Sequence, residues 1–450
     1  MCNSCTGILA GISLTFHLKR SLTIFLFYSC ILDAQTDSVK IPRYNFHFQQ
    51  TVITQYHPAF PAKYSGVNSL VSDQDTQSSL TTTAFFGLKL WKGASLYINP
   101  ELAGGSGFSQ ARGIAGFTNG ETFRIGSSAP AIYLARGYLQ QVFALSKNYT
   151  YAEEGPNQIK EKNYEKQIRW IAGKYSVADF FDYNTYSHDP RSQFMNWSLM
   201  NNGAWDYPAN TRGYTIGSML EYTSPKFEAR VSFNLEPTYA NGPVLDLKID
   251  KALGSTGELQ FNYKFGKRAG NIKLLGFYNK APMGSYALAV LLPDSTNITA
   301  TEKYSRTKYG WGINIEQELN EWISLFARAG WNDGKNETWA FTEIDQTAQL
   351  GLSLNGKKWK RAFDQLGIAG VVNGISIYHR AYLKKGGYGF MIGDGNLNYA
   401  PECIGEIYYN FTFPKLFLLL SPDYQFVLNP GYNADRGPVH VFSIRVHVQF

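Results

Sequence analysis

Residues 441–450, VFSIRVHVQF, alternate apolar and polar side chains with a period of two. Phe442, Ile444, Val446, Val448 and Phe450 fall on one face, and Val441, Ser443, Arg445, His447 and Gln449 on the other. Successive side chains of a strand point to opposite sides, so this segment separates an apolar from a wet environment. Two surroundings suit it: the surface of a soluble core, or a wall between lipid and water. Recurrence of the pattern along the chain discriminates between them.

The pattern recurs. In 226–236, Phe227, Ala229, Val231, Phe233 and Leu235 oppose Glu228, Arg230, Ser232, Asn234 and Glu236. In 311–319, Trp311, Ile313 and Ile315 oppose Asn314, Glu316 and Glu318, and a tight turn at Asn320-Glu321 leads into 322–331. In 404–413, Ile407, Tyr409, Phe411 and Phe413 oppose Glu406, Tyr408, Asn410 and Thr412. Strands are expected near 44–53, 81–91, 94–103, 131–143, 167–175, 212–222, 226–235, 257–265, 270–279, 307–319, 322–332, 347–355, 366–377, 403–413, 416–428 and 438–450. These sixteen segments run over 400 residues with no helix to cover a sheet edge. Closure removes the edge and satisfies the backbone in lipid. The expected fold is therefore all-β: an antiparallel transmembrane β-barrel of the outer-membrane type, its strand count even. Short turns such as Ser224-Pro225 belong on the periplasmic side, with both ends of the sheet; longer connections lie outside or fold into the lumen. The stretch 145–165, polar and charged, reads as a solvated loop.

Composition agrees with this. Charged residues are 17% and aromatics 15% of the 450 residues, with 42 Gly. Tyr and Trp suit membrane interfaces, and neutral polar groups suit lumen walls. Lys19 and Arg20 precede a short apolar run, 21–32, which reads as a signal peptide cleaved near Ala34, so 1–34 is leader and 35–450 barrel. The leader carries one net positive charge of the total +7, leaving about +6 on the barrel. No dense Lys/Arg block with interleaved aromatics is present, which argues against nucleic acid; the surplus suits a basic lumen or contact with lipopolysaccharide. Beyond the leader only Cys403 remains, so no intrachain disulfide and no thiolate metal cluster can form there.

Two irregular segments interrupt the walls. Residues 104–130 contain seven glycines together with Arg112, Glu121 and Arg124. Folded into the pore, such a loop would hold these groups at a constriction, where Arg donates a planar fork of hydrogen bonds and Glu accepts from hydroxyls; the alternative is a mobile exposed loop. Residues 176–211 mix Asp182, His188, Asp189, Arg191 and Asp206 with Tyr186, Phe194, Trp197, Trp205 and Tyr207. The mixture suits sugar recognition, with Tyr186, Trp197 and Trp205 as stacking surfaces. Equally, Asp182, His188, Asp189, Arg191 and Asp206 would lock a structural plug by salt bridge and packing. SQFMNWSLM (192–200) reads as a short helix with Ser192 near its cap. Asp182 and His188 find no third ligand at metal spacing.

GFTNGETFRIG at 116–126, YLAR at 133–136, GKYSVADFFDYNTYSHDPRSQFMNW at 173–197 and SPDYQFVLNPGYN at 421–433 together resemble the carbohydrate-selective porins of Gram-negative outer membranes. The resemblance covers roughly 44–450. It implies a sixteen-stranded barrel that passes small sugars by facilitated diffusion through an eyelet of Arg, Glu and aromatic groups, and it places Arg112, Glu121, Arg124 and Arg136 near that eyelet. DPRSQFMNW and WDYPANTRGY look longer than in glucose-type members. The implied location is the outer membrane, among lipid and lipopolysaccharide, as a monomer or homotrimer. The terminal Phe450 resembles the signal read by outer-membrane assembly machinery.

Four functions remain in play: a sugar-selective porin, a general non-selective porin, a plugged binding or structural barrel, and an outer-membrane hydrolase. His188 with Asp189, or His379, offers a base on paper, but no GxSxG nucleophile accompanies them. The expectation is a channel without catalysis and without cofactor.

Overall fold

The computed structural model describes residues 41–122, 128–293 and 296–450. Eighteen strands follow in chain order: β1 (Tyr44–His57), β2 (Asp75–Trp91), β3 (Ala94–Gly105), β4 (Ala131–Ala144), β5 (Tyr149–Ala152), β6 (Glu161–Tyr164), β7 (Gln167–Tyr175), β8 (Thr215–Thr223), β9 (Phe227–Asn234), β10 (Leu253–Phe265), β11 (Arg268–Ala281), β12 (Arg306–Glu318), β13 (Ile323–Asn332), β14 (Gln346–Asn355), β15 (Gln365–Gly374), β16 (Glu402–Phe413), β17 (Leu418–Leu428) and β18 (Val439–Gln449). Sixteen of them close one antiparallel barrel, and β5 and β6 form a separate hairpin. The barrel shuts where β1 meets β18, from Gln49 against Gln449 to Tyr56 against Phe442.

Parity reads as the sequence requires. On β18, Phe442, Ile444 and Val446 are exposed outward, while Val441, Ser443, Arg445 and His447 are buried inward. Each expected wall segment is a barrel strand. Several run beyond their expected ends: β1 continues to His57 and β2 starts at Asp75. These extensions are polar (DTQSS at 75–79) and show no lipid-facing apolar row, which is why alternation did not reveal them.

Connections alternate between short turns and long loops. At one end Ser224 N–H donates to the Phe227 carbonyl (2.9 Å), and Asn320 Oδ1 accepts from Trp322 and Ile323 N–H (both 2.9 Å). By the general pattern of such barrels this is the periplasmic end. One periplasmic connection departs from that pattern, and from the expectation of a solvated loop: residues 145–166, between β4 and β7. Its hairpin β5–β6 turns back against the barrel. Asn45 Nδ2 donates to the Gln158 carbonyl (2.9 Å), Ile159 is wholly buried, and Glu161 lies 3.8 Å from Lys89.

Loops also fold into the lumen, held by inward-facing wall charges. Glu402 accepts from Ala115 and Gly116 N–H (2.9 and 2.7 Å), and Glu406 from Met195 and Asn196 N–H (2.5 and 3.0 Å). Arg328 donates to the Leu199 and Ser187 carbonyls (3.1 and 2.6 Å), and Arg445 to those of Pro190 and Gln193 (both 2.7 Å). The wall thus satisfies loop backbone that water no longer reaches. Glycine allows the close approach: at Gly113, φ +81°, a Cβ would stand 2.0 Å from Leu70 N. The described parts of both irregular segments are in-folded.

Candidate functional site

Between these loops and the wall formed by β1–β4 lies a lumen cavity of about 350 Å³. Its lining extends from Gly213 and Phe341 in outer loops to Gln49 and Gln449 on facing strands, and Pro156 and Asn157 of the periplasmic hairpin also reach it.

The charged side of the cavity is a ladder of pairs. Arg191, at the start of the in-folded 190s segment, places Nη2 3.1 Å from Glu101 on β3 and Nε 2.8 Å from Glu121 in the glycine-rich loop. Glu101 also accepts from Thr83 (2.6 Å), Tyr214 (3.0 Å) and Tyr133. Arg136 grips Asp179 through two bonds, Nε to Oδ2 at 2.7 Å and Nη2 to Oδ1 at 2.5 Å. The Arg136 guanidinium stands 5.3 Å over the Tyr214 ring, and that of Arg212 4.0 Å over Tyr133. Such fork-on-carboxylate and cation–π contacts fix the planes of the guanidinium groups.

A register shift makes this cluster possible. At Pro100, which has no N–H to give, pairing slips: Asn99 faces Arg136, but Pro100 faces Leu134. The extra residue, Ala135, inverts the parity of β4. Tyr133 and Arg136, three apart, would otherwise point to opposite faces; here both serve the lumen.

The opposite side is aromatic. Trp197 stacks between Phe117 (5.1 Å, 11°) and Phe341 (4.9 Å, 27°), and Phe341 stacks on Tyr207 (5.5 Å, 10°). Trp197 opens helix α1 (Trp197–Met200), whose cap is Asn196 accepting from Ser198 N–H, not Ser192 as the sequence suggests. Ser192 instead donates to Asp189 (2.8 Å), because the loop turns sharply there before Glu406 captures its backbone.

Residues of the lining also carry buried polar atoms that find no hydrogen-bond partner among the described residues: Trp197 Nε1, His188 Nδ1, Asn157 Oδ1, and both side-chain polar atoms of Asn201. Burial and the Arg328 charge lower the His188 pKa, which keeps the ring neutral at pH 7. Burial pushes the Glu121 carboxyl up, against the pull of Arg191. The fixed charges nearly cancel: Glu101, Glu121, Asp179 and Asp189 face Arg136, Arg191 and Arg212.

Of the residues marked in the sequence, Glu121, Arg136, His188, Asp189, Arg191 and Trp197 line this cavity. Arg124 lies outside the described residues. Arg112 is not in the lining; its neighbour Gly113 donates to Met391 O, among the outer loops. Trp205 is wholly buried against Phe181 and Tyr207, and Tyr186 packs on the buried cluster that contains Phe194; neither is in the cavity lining. Asp182 and Asp206 are anchors: Asp182 lies 3.1 Å from Arg328 and accepts from Asn202 N–H (2.7 Å), and Asp206 accepts from Trp339 and Ala340 N–H (both 2.8 Å). Asp189 and Arg191 do not pair by side chain as a lock; Asp189 caps the turn, accepting from Arg191 N–H (3.0 Å), while the guanidinium bridges two other carboxylates. Glu101, Asn201, Arg212, Tyr214 and Phe341 went unmarked. Glu101 alone had a signal, since it shares the inward parity of Tyr97 and Asn99 on β3. Among the described residues no three His, Cys, Asp or Glu side chains gather as a metal site.

The family model of the carbohydrate-selective porin, OprB family, matches residues 78–450. Porin AaxA of Chlamydia pneumoniae is 23% identical over 277 residues, 61% of this chain and 54% of that protein, so the match spans about half the length of this curated relative. The structure of Pseudomonas putida OprB at high pH superposes with a TM-score of 0.66 at 16% identity, covering 90% of this chain and 94% of that one, a likeness of fold. With a closed sixteen-stranded wall and a family match over most of its length, the chain is an integral β-barrel of the outer membrane and belongs to the OprB family of carbohydrate-selective porins.

Proposed function

We propose that the barrel passes small neutral sugars by passive diffusion, with the Glu101–Arg191–Glu121 and Arg136–Asp179 ladder facing the Trp197 stack as its selective constriction. One observation carries this reading: paired charges and the edges of a stacked aromatic row line the same cavity. A sugar has the complementary build. Its hydroxyls both donate and accept, so they suit carboxylate oxygens and guanidinium edges, and its C–H groups suit the apolar ring edges. Near-cancellation of the fixed charge leaves no strong field to favour an ion over a neutral polyol. Passage needs no covalent step, so we assign no catalytic group and no cofactor.

Proteoliposome swelling tests this. A pentose and triethylene glycol have nearly equal mass; the pentose should enter faster. Equal rates would reduce the protein to a general porin, and no swelling with any solute would make it a plugged barrel.

A further inference from the structure

A second cavity, about 540 Å³, lies among the outer loops and shares no lining residue with the constriction. Among the described residues, four rings line it, Tyr239, Tyr382, Tyr388 and Phe390, together with two carboxylates, Glu302 and Glu337, and no Lys, Arg or His. Tyr239, Tyr388 and Glu302 are exposed, so the cavity opens to the medium outside the barrel.

Glu337 is the informative group. It is only 7% exposed, accepts a hydrogen bond from Gly284 N–H (3.0 Å), and joins no ion pair among the described residues. The cation whose field reaches it, Lys308, is itself buried and lies between Asp206 (3.9 Å) and Asp345 (3.7 Å). Burial, with added repulsion from Glu302 and Glu343, pushes the Glu337 carboxyl up to about 8. A buried carboxylate without a counter-ion is costly, and the rings around it supply no counter-charge. No described lining residue supplies a positive charge, so at neutral pH a proton holds its place on Glu337. A neutral sugar would leave that proton where it is; a cation would displace it.

We propose that this vestibule binds an organic cation, an ammonium or guanidinium group on an apolar stem, taken from the extracellular medium. Glu337 and Glu302 neutralise the charge, and the rings enclose the stem and the cation's C–H or N–H surface. The site is independent of the sugar reading of the constriction, because the two share no residue.

Choline and 3,3-dimethyl-1-butanol, its neutral isostere, separate charge from shape. Calorimetric titration of the full protein in detergent micelles should show choline binding at least tenfold tighter than the isostere. The double variant Glu302→Gln/Glu337→Gln should abolish that margin while pentose swelling stays at the wild-type rate. Equal binding of the two probes, no choline binding at all, or displacement of choline by glucose would each overturn the proposal. The isostere comparison needs no variant, so it stands even where the substitutions disturb the loops.

Discussion

At the scale of single residues, Arg191 and Trp197 stand on opposite sides of the proposed constriction. Arg191→Met leaves Glu101 and Glu121 without their shared counter-charge. A unit charge about 6 Å away at water-like dielectric is worth ~0.7 kcal/mol, about threefold in an equilibrium. Reversal potentials across a KCl gradient should therefore shift toward cations by about that factor, with the barrel still inserted. Trp197→Ala removes an inner ring of the four-ring stack Phe117–Trp197–Phe341–Tyr207; sugar-specific swelling should drop while ion conductance holds or rises. Glu337 gives a pH dependence. Its carboxyl is raised when folded, so the folded chain holds a proton that the unfolded chain releases above the ordinary carboxylate range. Stability of the surrounding loops should fall as pH climbs from about 4.5 to about 8. Hydrogen-exchange protection of those loops should fall over this window, and Glu337→Gln should flatten the slope. Which tryptophan faces the pore was not legible: Trp197 and Trp205 sit in the same kind of aromatic, acidic context, and only the fold turns one inward to the core and the other to the cavity.

At the scale of elements, the loops stay in the lumen because wall side chains replace water on their backbones. Glu402 and Glu406 together hold Ala115, Gly116, Met195 and Asn196. Losing partners for buried N–H groups costs about 1–3 kcal/mol each. The double variant Glu402→Ala/Glu406→Ala should release both loops, raise single-channel conductance and weaken sugar discrimination, while the sheet remains closed. The periplasmic hairpin makes the matching case from the other end. Replacing 153–160 with a two-residue turn removes Pro156 and Asn157 from the cavity lining, and conductance should rise. The strands themselves were readable because lipid imposes a strict period of two. The hairpin was not, because a polar segment looks the same whether it meets bulk water or a wet lumen. Hydropathy reports polarity, not position. The inverted parity at Ala135 escaped for a related reason: alternation presumes an unbroken register, and Pro100 interrupts it.

At the scale of the whole molecule, the alternating terminal strand and its fifteen partners account for a closed wall, and the loops inside that wall would account for the proposed selectivity. The wall places fixed groups around one cavity, with charge nearly balanced and an aromatic row opposite. If that cavity is the common path, sugar and ions must compete within it. Single-channel recording in a planar bilayer tests this most directly, with a pentose or hexose added to the KCl solution. The account predicts a saturable, sugar-dependent reduction of the ionic current that triethylene glycol does not reproduce and that Trp197→Ala weakens. Current that ignores sugar, or that sugar and triethylene glycol reduce equally, would contradict it.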